Sequence, residues 1–490
     1  MNQDERRSEV EDMSSLDIQT EALRWGIPLE EVKTFGSRLR QFFERFRNKM
    51  KTKTRDTSQY GYHYISGLLR MEAKRNYAGI AREGGVSEQN MQHFMSQSPW
   101  DGSSVIEQVQ EEVCAHPAFA EAVLVLDESA DEKSGGKSAG SGRQHNGRLG
   151  KIEMSQVGVF AALVTPKAWV WTDGELYVPK AWFEEENAEW RRWVGIPEER
   201  IFHTKPELAW LLIQRLQKRK MPFVAVAMDD LYGRNQTLRL RLQKAGIEYY
   251  ADVPKDTQVY LKKPQILYRK GKRGARRRII QGQAYKVQQL AHRGCGAWQR
   301  LTVRTIERGM LTADFKRCRV WVVYDDEPRQ EWLLIRRDGH RTTYVLSNAA
   351  PDLSLETMAW RKTHRYFIER SNQDAKSELG WDEFQAMKYQ GWEHHLALTI
   401  LASWFIAETR LDWMDRIQRD PALLETFQID ILPMLSMANV RTLLLAAMPR
   451  RQLTPEESIE LVIKHLVNRT RSRKSRLKKQ QLRESSLPPV

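Results

Sequence analysis

The segment Arg361–Gly380, RKTHRYFIERSNQDAKSELG, decides how the rest of the chain is read. No Pro or Gly interrupts it before Gly380, so it reads as a helix closed by a C-terminal glycine. At 100° per residue from Arg365, Glu369 falls at about 40°, Lys376 at about 20° and Lys362 at about 60°, so four charged side chains share one face. Ile368, Ala375 and Leu379 fall at about 280–320° and form an adjoining apolar stripe. One carboxylate among three long cations, beside a buried stripe, suits a metal-binding Glu flanked by cations that hold a polyanion. From this segment alone, a solvated charged face with Arg365 and Glu369 as an i,i+4 pair fits equally well.

The surrounding composition favours the polyanion. The 490 residues carry 78 Lys and Arg against 63 Asp and Glu, a formal charge of +15. Such a length allows roughly two to four domains and a large core. Cys114, Cys295 and Cys318 are far apart in sequence, odd in number and without a CxxC, which supports neither a disulfide framework nor a zinc site. The start MNQDERRSEVED is too charged for a signal peptide. The longest apolar run, His395–Ala407, is shorter than the roughly 20 residues of a membrane span. These features describe a soluble, basic, intracellular protein with no membrane partner.

Upstream, residues 1–118 read as helices. Within them residues 77–96 resemble a helix-turn-helix: Ala81 is small where the helices cross, Gly85 occupies the turn, Val86 returns to the core and Ser87 caps a second helix. That helix turns Gln89, Asn90, Gln92 and His93 outward, and Gln and Asn suit adenine edges. Such helix pairs are also common in ordinary helical domains.

From Phe119 the period changes. Ala122–Leu126 is a short apolar run, a buried strand ending in Asp127. The Gly-rich loop Lys133–Gly150 follows, then a hairpin of Val157–Thr165 and Ala168–Val178, a helix Pro206–Lys218, and a second buried strand Phe223–Met228 ending in Asp229-Asp230. The Gly-rich loop lacks the GxxxxGK[ST] spacing of a nucleotide cradle. Strand, hairpin, helix, strand matches the beginning of an RNase H-like fold, in which an Asp closes the first strand and another the fourth. About 140 residues then separate Asp229 from Glu369. They contain four strand-like runs and the basic patch Arg269–Arg278, with Arg276, Arg277 and Arg278 as candidate phosphate contacts. Residues 255–350 therefore read as a β-rich basic insertion between core segments 119–254 and 351–410.

Downstream, Trp392–Ala407 is apolar nearly all round and reads as a core helix. Its adjacent His394 and His395 point about 100° apart, which suits structural roles better than ligand roles. Residues 411–468 read as helical, with Thr454-Pro455-Glu456-Glu457 as a capping box. Residues 469–490 read as a disordered basic tail that adds salt-sensitive DNA affinity.

The spacing Arg365-(3)-Glu369-(6)-Lys376 resembles the signature around the last acidic residue of IS4-like DDE transposases. IERSNQDAKSELG followed by KYQGWEHHLALTILA is similar to the IS701 family, as is RQHNGRLGKIEMSQVGV after Asp127. Asp229-Asp230-Leu231-Tyr232-Gly233 resembles the D-x-x-Y-G motif around the second acid of that family, which favours Asp229 over Asp230. The wider signature carries Tyr where this chain has Lys362. The resemblance runs from about residue 60 to about residue 410.

It implies an α/β RNase H-like catalytic core with a β-rich insertion, flanked by α-helical N- and C-terminal regions. It further implies Asp127, Asp229 and Glu369 as catalytic residues and metal ligands, Asp127 bridging two Mg²⁺ ions for which Mn²⁺ substitutes. Hard carboxylate oxygens suit Mg²⁺, and two ions about 4 Å apart serve phosphodiester displacement. Arg365, Lys376 and Lys362 would hold DNA phosphates. The expected activity is cut-and-paste transposition in the bacterial cytoplasm at the nucleoid. The partners would be double-stranded transposon ends and target DNA, held by a homodimer. A catalytically silent transposase-derived DNA-binding protein and a general metal-dependent nuclease are the alternatives.

Overall fold

The computed structural model describes residues 15–146, 150–270, 276–306, 309–339, 341–429 and 432–485. Two units are present, Met1–Met448 and Pro449–Val490.

The first unit is built on β1 (Ala122–Glu132), β2 (Gly142–Asn146), β3 (Lys151–Val164), β4 (Trp169–Tyr177), β5 (Phe223–Met228) and β6 (Tyr249–Val253). β1 pairs antiparallel with β3 and parallel with β5, while β5 pairs parallel with β6. β3 also takes β4 along its second half and β2 along its first. The resulting order β4–β3–β1–β5–β6, antiparallel on one side and parallel on the other, is RNase H-like. The central runs are apolar because helices cover both faces: Leu124, Val125, Leu126, Ala225, Val226 and Met228 have no exposed surface.

Two expectations change here. β1 does not stop at Leu126 but runs to Glu132, because Asp127–Glu132 continue the ladder with Phe160–Ser155 of β3. Its polar outer half finds partners inside the fold, with Asp131 3.0 Å from Lys376. The Gly-rich segment is likewise not all loop, since Gly142–Asn146 forms β2 against Ser155–Lys151.

Between core segments lie β7 (Gln258–Tyr260), β8 (Gln265–Lys270), β9 (Arg276–Gln281), β10 (Ala284–Lys286), β11 (Gln299–Ile306), β12 (Gly309–Tyr324), β13 (Glu327–Asp338) and β14 (Arg341–Ser347). The inserted strands extend the core sheet. β14 pairs with β6, β13 with β14 and β12 with β13, giving one sheet of twelve strands. β8 and β9 form a separate hairpin. A second small core, including Val259, Leu290, Val320, Leu333 and Leu346, sits behind the insertion. It brings the sequence-distant Cys295 and Cys318 together, sulfur to sulfur at 2.9 Å, with both thiols free.

The helix Tyr389–Arg416 runs through the main core, and the N-terminal helices share that core rather than forming one of their own. Phe42 meets Phe405 edge-on at 5.1 Å, and Phe35 lies 5.3 Å from Trp413. His394 and His395 are buried within it, His394 stacked on Trp100 at 3.7 Å.

In the second unit, Pro455–Ser485 forms a single helix opened by the expected capping box, Glu457 N–H donating to Thr454 Oγ1 at 3.2 Å. Instead of ending near residue 468, the helix includes most of the basic tail. Lys, Arg, Gln and Leu are good helix formers, and no Gly or Pro lies between Glu456 and Ser485.

Candidate active site

Leu126 of β1 is paired with Met228 of β5, and Met228 with Ala251 of β6. One residue further along each parallel strand stand Asp127, Asp229 and Asp252, which therefore share one row at the sheet edge. All three are partly exposed. Asp127 accepts the Glu128 N–H at 2.9 Å. Asp229 caps the short turn of helix Asp230–Gly233, accepting from the Leu231 and Tyr232 N–H groups at 3.0 and 3.3 Å. That turn packs so tightly on β6 that a Cβ on Gly233 would lie 1.9 Å from the Asp252 carbonyl oxygen, which is why glycine ends the motif. Asp230 points outward, is half-exposed, and pairs with Arg234.

The segment that carries Glu369 is not one helix. Leu355–Thr363 and Tyr366–Ser377 are separated by a turn at His364-Arg365. Thr363 Oγ1 bonds back to the carbonyls of Ala359 and Trp360, each at 2.9 Å, and His364 Nδ1 lies 2.7 Å from the Trp360 carbonyl. These side chains compete with the helical ladder for its acceptors, and backbone bonds at the turn shorten to the i,i+3 pattern, as in Phe367 N–H to His364 O. The second helix closes at Gly380, whose φ of +67° suits glycine.

The break separates the four charged residues that an ideal helix would align. Lys362, expected toward DNA, is buried instead, its ammonium 3.2 Å from Asp252. Arg365 lies 3.3 Å from Asp252 and 2.8 Å from Glu369, and it also faces Asp127 and Asp229 electrostatically. Lys376 binds Asp131 and donates to the Ala130 carbonyl at 2.7 Å. Glu369 itself is half-exposed. Ile368, Ala375 and Leu379 are buried as the apolar stripe required. Trp169 and Trp171 of β4 fix the helix by donating their indole N–H groups to Asp374 and Asn372, both at 3.1 Å.

Burial, with like charge from Glu128 and from Asp229, pushes the Asp127 carboxyl well above the carboxylate range. Burial and the neighbouring Glu128 raise Asp229 to about 6. Two adjoining carboxylates that hold their protons this firmly lack sufficient positive charge, and a divalent cation with oxygen preference meets that deficit. Asp127 and Asp229 thus fit a metal. Glu369 is connected to them through Arg365, and no cluster of three metal-binding side chains is closed among the described residues.

The helix pair Tyr77–Glu83 and Glu88–Ser96 has the expected turn, with Gly85 at φ +66° and Ser87 Oγ accepting from Asn90 N–H. Gln89, Asn90, Gln92 and His93 are all exposed. Arg278 is exposed on β9 and pairs with Asp326 at 3.1 Å; the side chains of Arg276 and Arg277 lie outside the described ones. Sequence reading missed Asp252, whose signal was an acid interrupting the otherwise apolar strand YYADV.

An RNase H-like sheet with paired acids at the edge of its parallel strands has the make-up of an endonuclease core. The family model described as DDE superfamily endonuclease matches residues 41–310, more than half of the chain, and the chain belongs to that family. It is also 23% identical over 326 residues to a protein of Microchaete diplosiphon, "Probable transposase for insertion sequence element IS701", across 62% of this chain and 70% of that one. The family match contains Asp127 and Asp229 and ends before Glu369. Among the described residues no helix is long and apolar enough to cross a membrane.

Proposed function

We propose that this chain is a DNA transposase that cuts at the terminal inverted repeats of its element and joins the freed 3′-hydroxyl to target DNA. The observation that carries this reading is the row of Asp127 and Asp229 at the sheet edge, with Arg365 paired to Glu369 and in the field of both aspartates. Asp127 and Asp229 would hold divalent metal, with Glu369 completing the site from the helix. Metal bound there would activate water or a 3′-hydroxyl and stabilise the leaving oxygen of the phosphodiester. Two Mg²⁺ ions, replaceable by Mn²⁺, suit the all-oxygen donor set.

The chain's own residues do the positioning. Arg365 shields the carboxylates from one another and offers its guanidinium to the scissile phosphate. Lys376 holds the outer half of β1 through Asp131, setting where Asp127 stands. Gln89, Asn90, Gln92 and His93 would meet base edges of the terminal repeats, and Arg276–Arg278 would contact phosphates. In this reading residues 1–118 bind DNA, 119–254 and 351–410 form the catalytic core, and 255–350 is the basic insertion. Residues 411–468 and 469–490 would flank it, the last as a basic DNA-binding segment, and two copies of the chain would hold two ends.

The test is Mg²⁺-dependent cleavage of a plasmid carrying both ends of the element, comparing wild type with Asp229→Asn. End-specific cutting that disappears in the variant, with DNA binding kept, supports the reading. Binding of the ends with no cutting by wild type makes the chain a silent DNA-binding protein. Cutting without regard to the ends makes it a general nuclease.

A further inference from the structure

Asp252 has no place in the three-acid reading, yet it occupies the same row as Asp127 and Asp229. It differs from both in its partners. One carboxylate oxygen lies 3.2 Å from Lys362 Nζ, and the other lies 3.3 Å from Arg365 Nε. Lys362 closes the first helical segment and Arg365 stands in the turn before the second, so one side chain on β6 ties down both sides of the break. The backbone of Asp252 is fixed as well: it pairs with Val345 of β14, and its carbonyl lies under Gly233 of the Asp229 turn.

We infer that Asp252 is a positioning residue of the reaction centre, anchoring Lys362 and Arg365 so that the Arg365 guanidinium stands beside the metal-binding carboxylates without occupying their place. The inference rests on the proposed transposase reading. Arg365 has four carboxylates within its field, Asp252, Glu369, Asp127 and Asp229. Coulomb attraction alone would draw an unanchored guanidinium onto the Asp127–Asp229 pair, where it would compete with a divalent cation. A carboxylate already satisfied by Lys362 and fixed on a central strand holds it to one side. Asp252 thereby selects between an internal cation and an external one at the same site.

The test is a Mn²⁺ titration of the full chain, followed by electron paramagnetic resonance, for wild type, Asp252→Asn and Asp252→Glu, with binding of the element's ends measured alongside. The expected result is a Mn²⁺ dissociation constant raised about tenfold in Asp252→Asn and near wild type in Asp252→Glu. Asp252→Asn leaves Lys362 buried without its partner, which threatens folding. The double variant D252N/K362M removes both charges together, a change buried pairs tolerate, and it should show the same weakened Mn²⁺ binding. If folded D252N/K362M binds Mn²⁺ as wild type does, the inference is overturned while the transposase reading stands. If wild type binds no Mn²⁺ at Asp127 and Asp229, judged against Asp229→Asn, both fall together.

Discussion

Arg365 donates to Glu369 at 2.8 Å across one turn of helix and lies 3.3 Å from Asp252, so it ties the third acid to the aspartate row. Glu369 is half-exposed, so the pair adds only about 0.3–0.5 kcal/mol to stability. Glu369→Gln should therefore leave the thermal midpoint and DNA binding nearly unchanged. End cleavage should fall by about a hundred- to a thousandfold, the scale on which loss of one preorganised electrostatic group acts. Calorimetry beside a single-turnover cleavage assay separates the two effects. A variant that cuts normally would remove Glu369 from the active centre.

Asp229 gives the site a defined pH response. Its native pKa of about 6 lies above the ordinary 3.8, so between these values the folded state holds a proton that the unfolded chain releases. Stability from this group is present below pH 3.8 and lost as pH rises through 6. At pH 7.5, Asp229→Asn should thus stabilise the metal-free protein, by about 1–2 kcal/mol once solvent screening is allowed for. Urea unfolding at pH 5 and pH 7.5 measures it, the gain being larger at the higher pH. Divalent cation competes with this proton and with the one Asp127 holds, so Mn²⁺ affinity should climb as pH rises through about 6.

The chain order of the core elements and the aspartates that follow the apolar runs of β1 and β5 were legible because buried parallel strands are written as unbroken apolar runs, and the acids that follow such runs stand out. What escaped the sequence was set by side chains acting across the fold. Thr363 and His364 look like ordinary helix residues until they take the carbonyls of Ala359 and Trp360 and break the helix. Lys362 projects beside Glu369 on an ideal helix, but the break and Asp252 bury it. The β-rich insertion was visible as strands, while its continuity with the core sheet depended on β14 pairing with β6, which local pattern does not encode.

That continuity is fastened by a buried polar cluster. Arg239, on helix Gln236–Lys244 of the core, donates to Tyr324 at 2.8 Å and lies 3.7 Å from Glu331 of β13. Gln243 donates to Glu331 at 2.9 Å, and Tyr324 donates to it as well. Glu331 and Arg239 have almost no exposed surface. Glu331→Leu leaves the Arg239 charge buried alone and should cost about 3–5 kcal/mol, whereas removing both charges as R239M/E331L should cost far less. Denaturant unfolding of the three proteins tests this, and equal losses for single and double variants would contradict it.

His395 lies between the rings of Trp381 and Phe384, centroids 4.6 and 4.3 Å away. Nδ1 is 3.0 Å from the Tyr64 hydroxyl and Nε2 is 3.1 Å from the Trp381 carbonyl. A neutral ring satisfies both, accepting from the tyrosine and donating to the carbonyl. Burial lowers its pKa to about 3, against the ordinary 6.5 that the unfolded chain regains. Between those values the unfolded state binds a proton that the native state refuses, so stability is full above pH 6.5 and drains as pH falls toward 3. The loss from this residue should reach about 2 kcal/mol by pH 4.5. His395→Gln should remove that part of the pH slope while lowering stability at neutral pH through lost stacking. In nuclear magnetic resonance the His395 ring should stay neutral, protonated at Nε2, down to pH 4. A ring that titrates near 6.5 would mean that the helix Tyr389–Arg416 does not hold it in this aromatic cage.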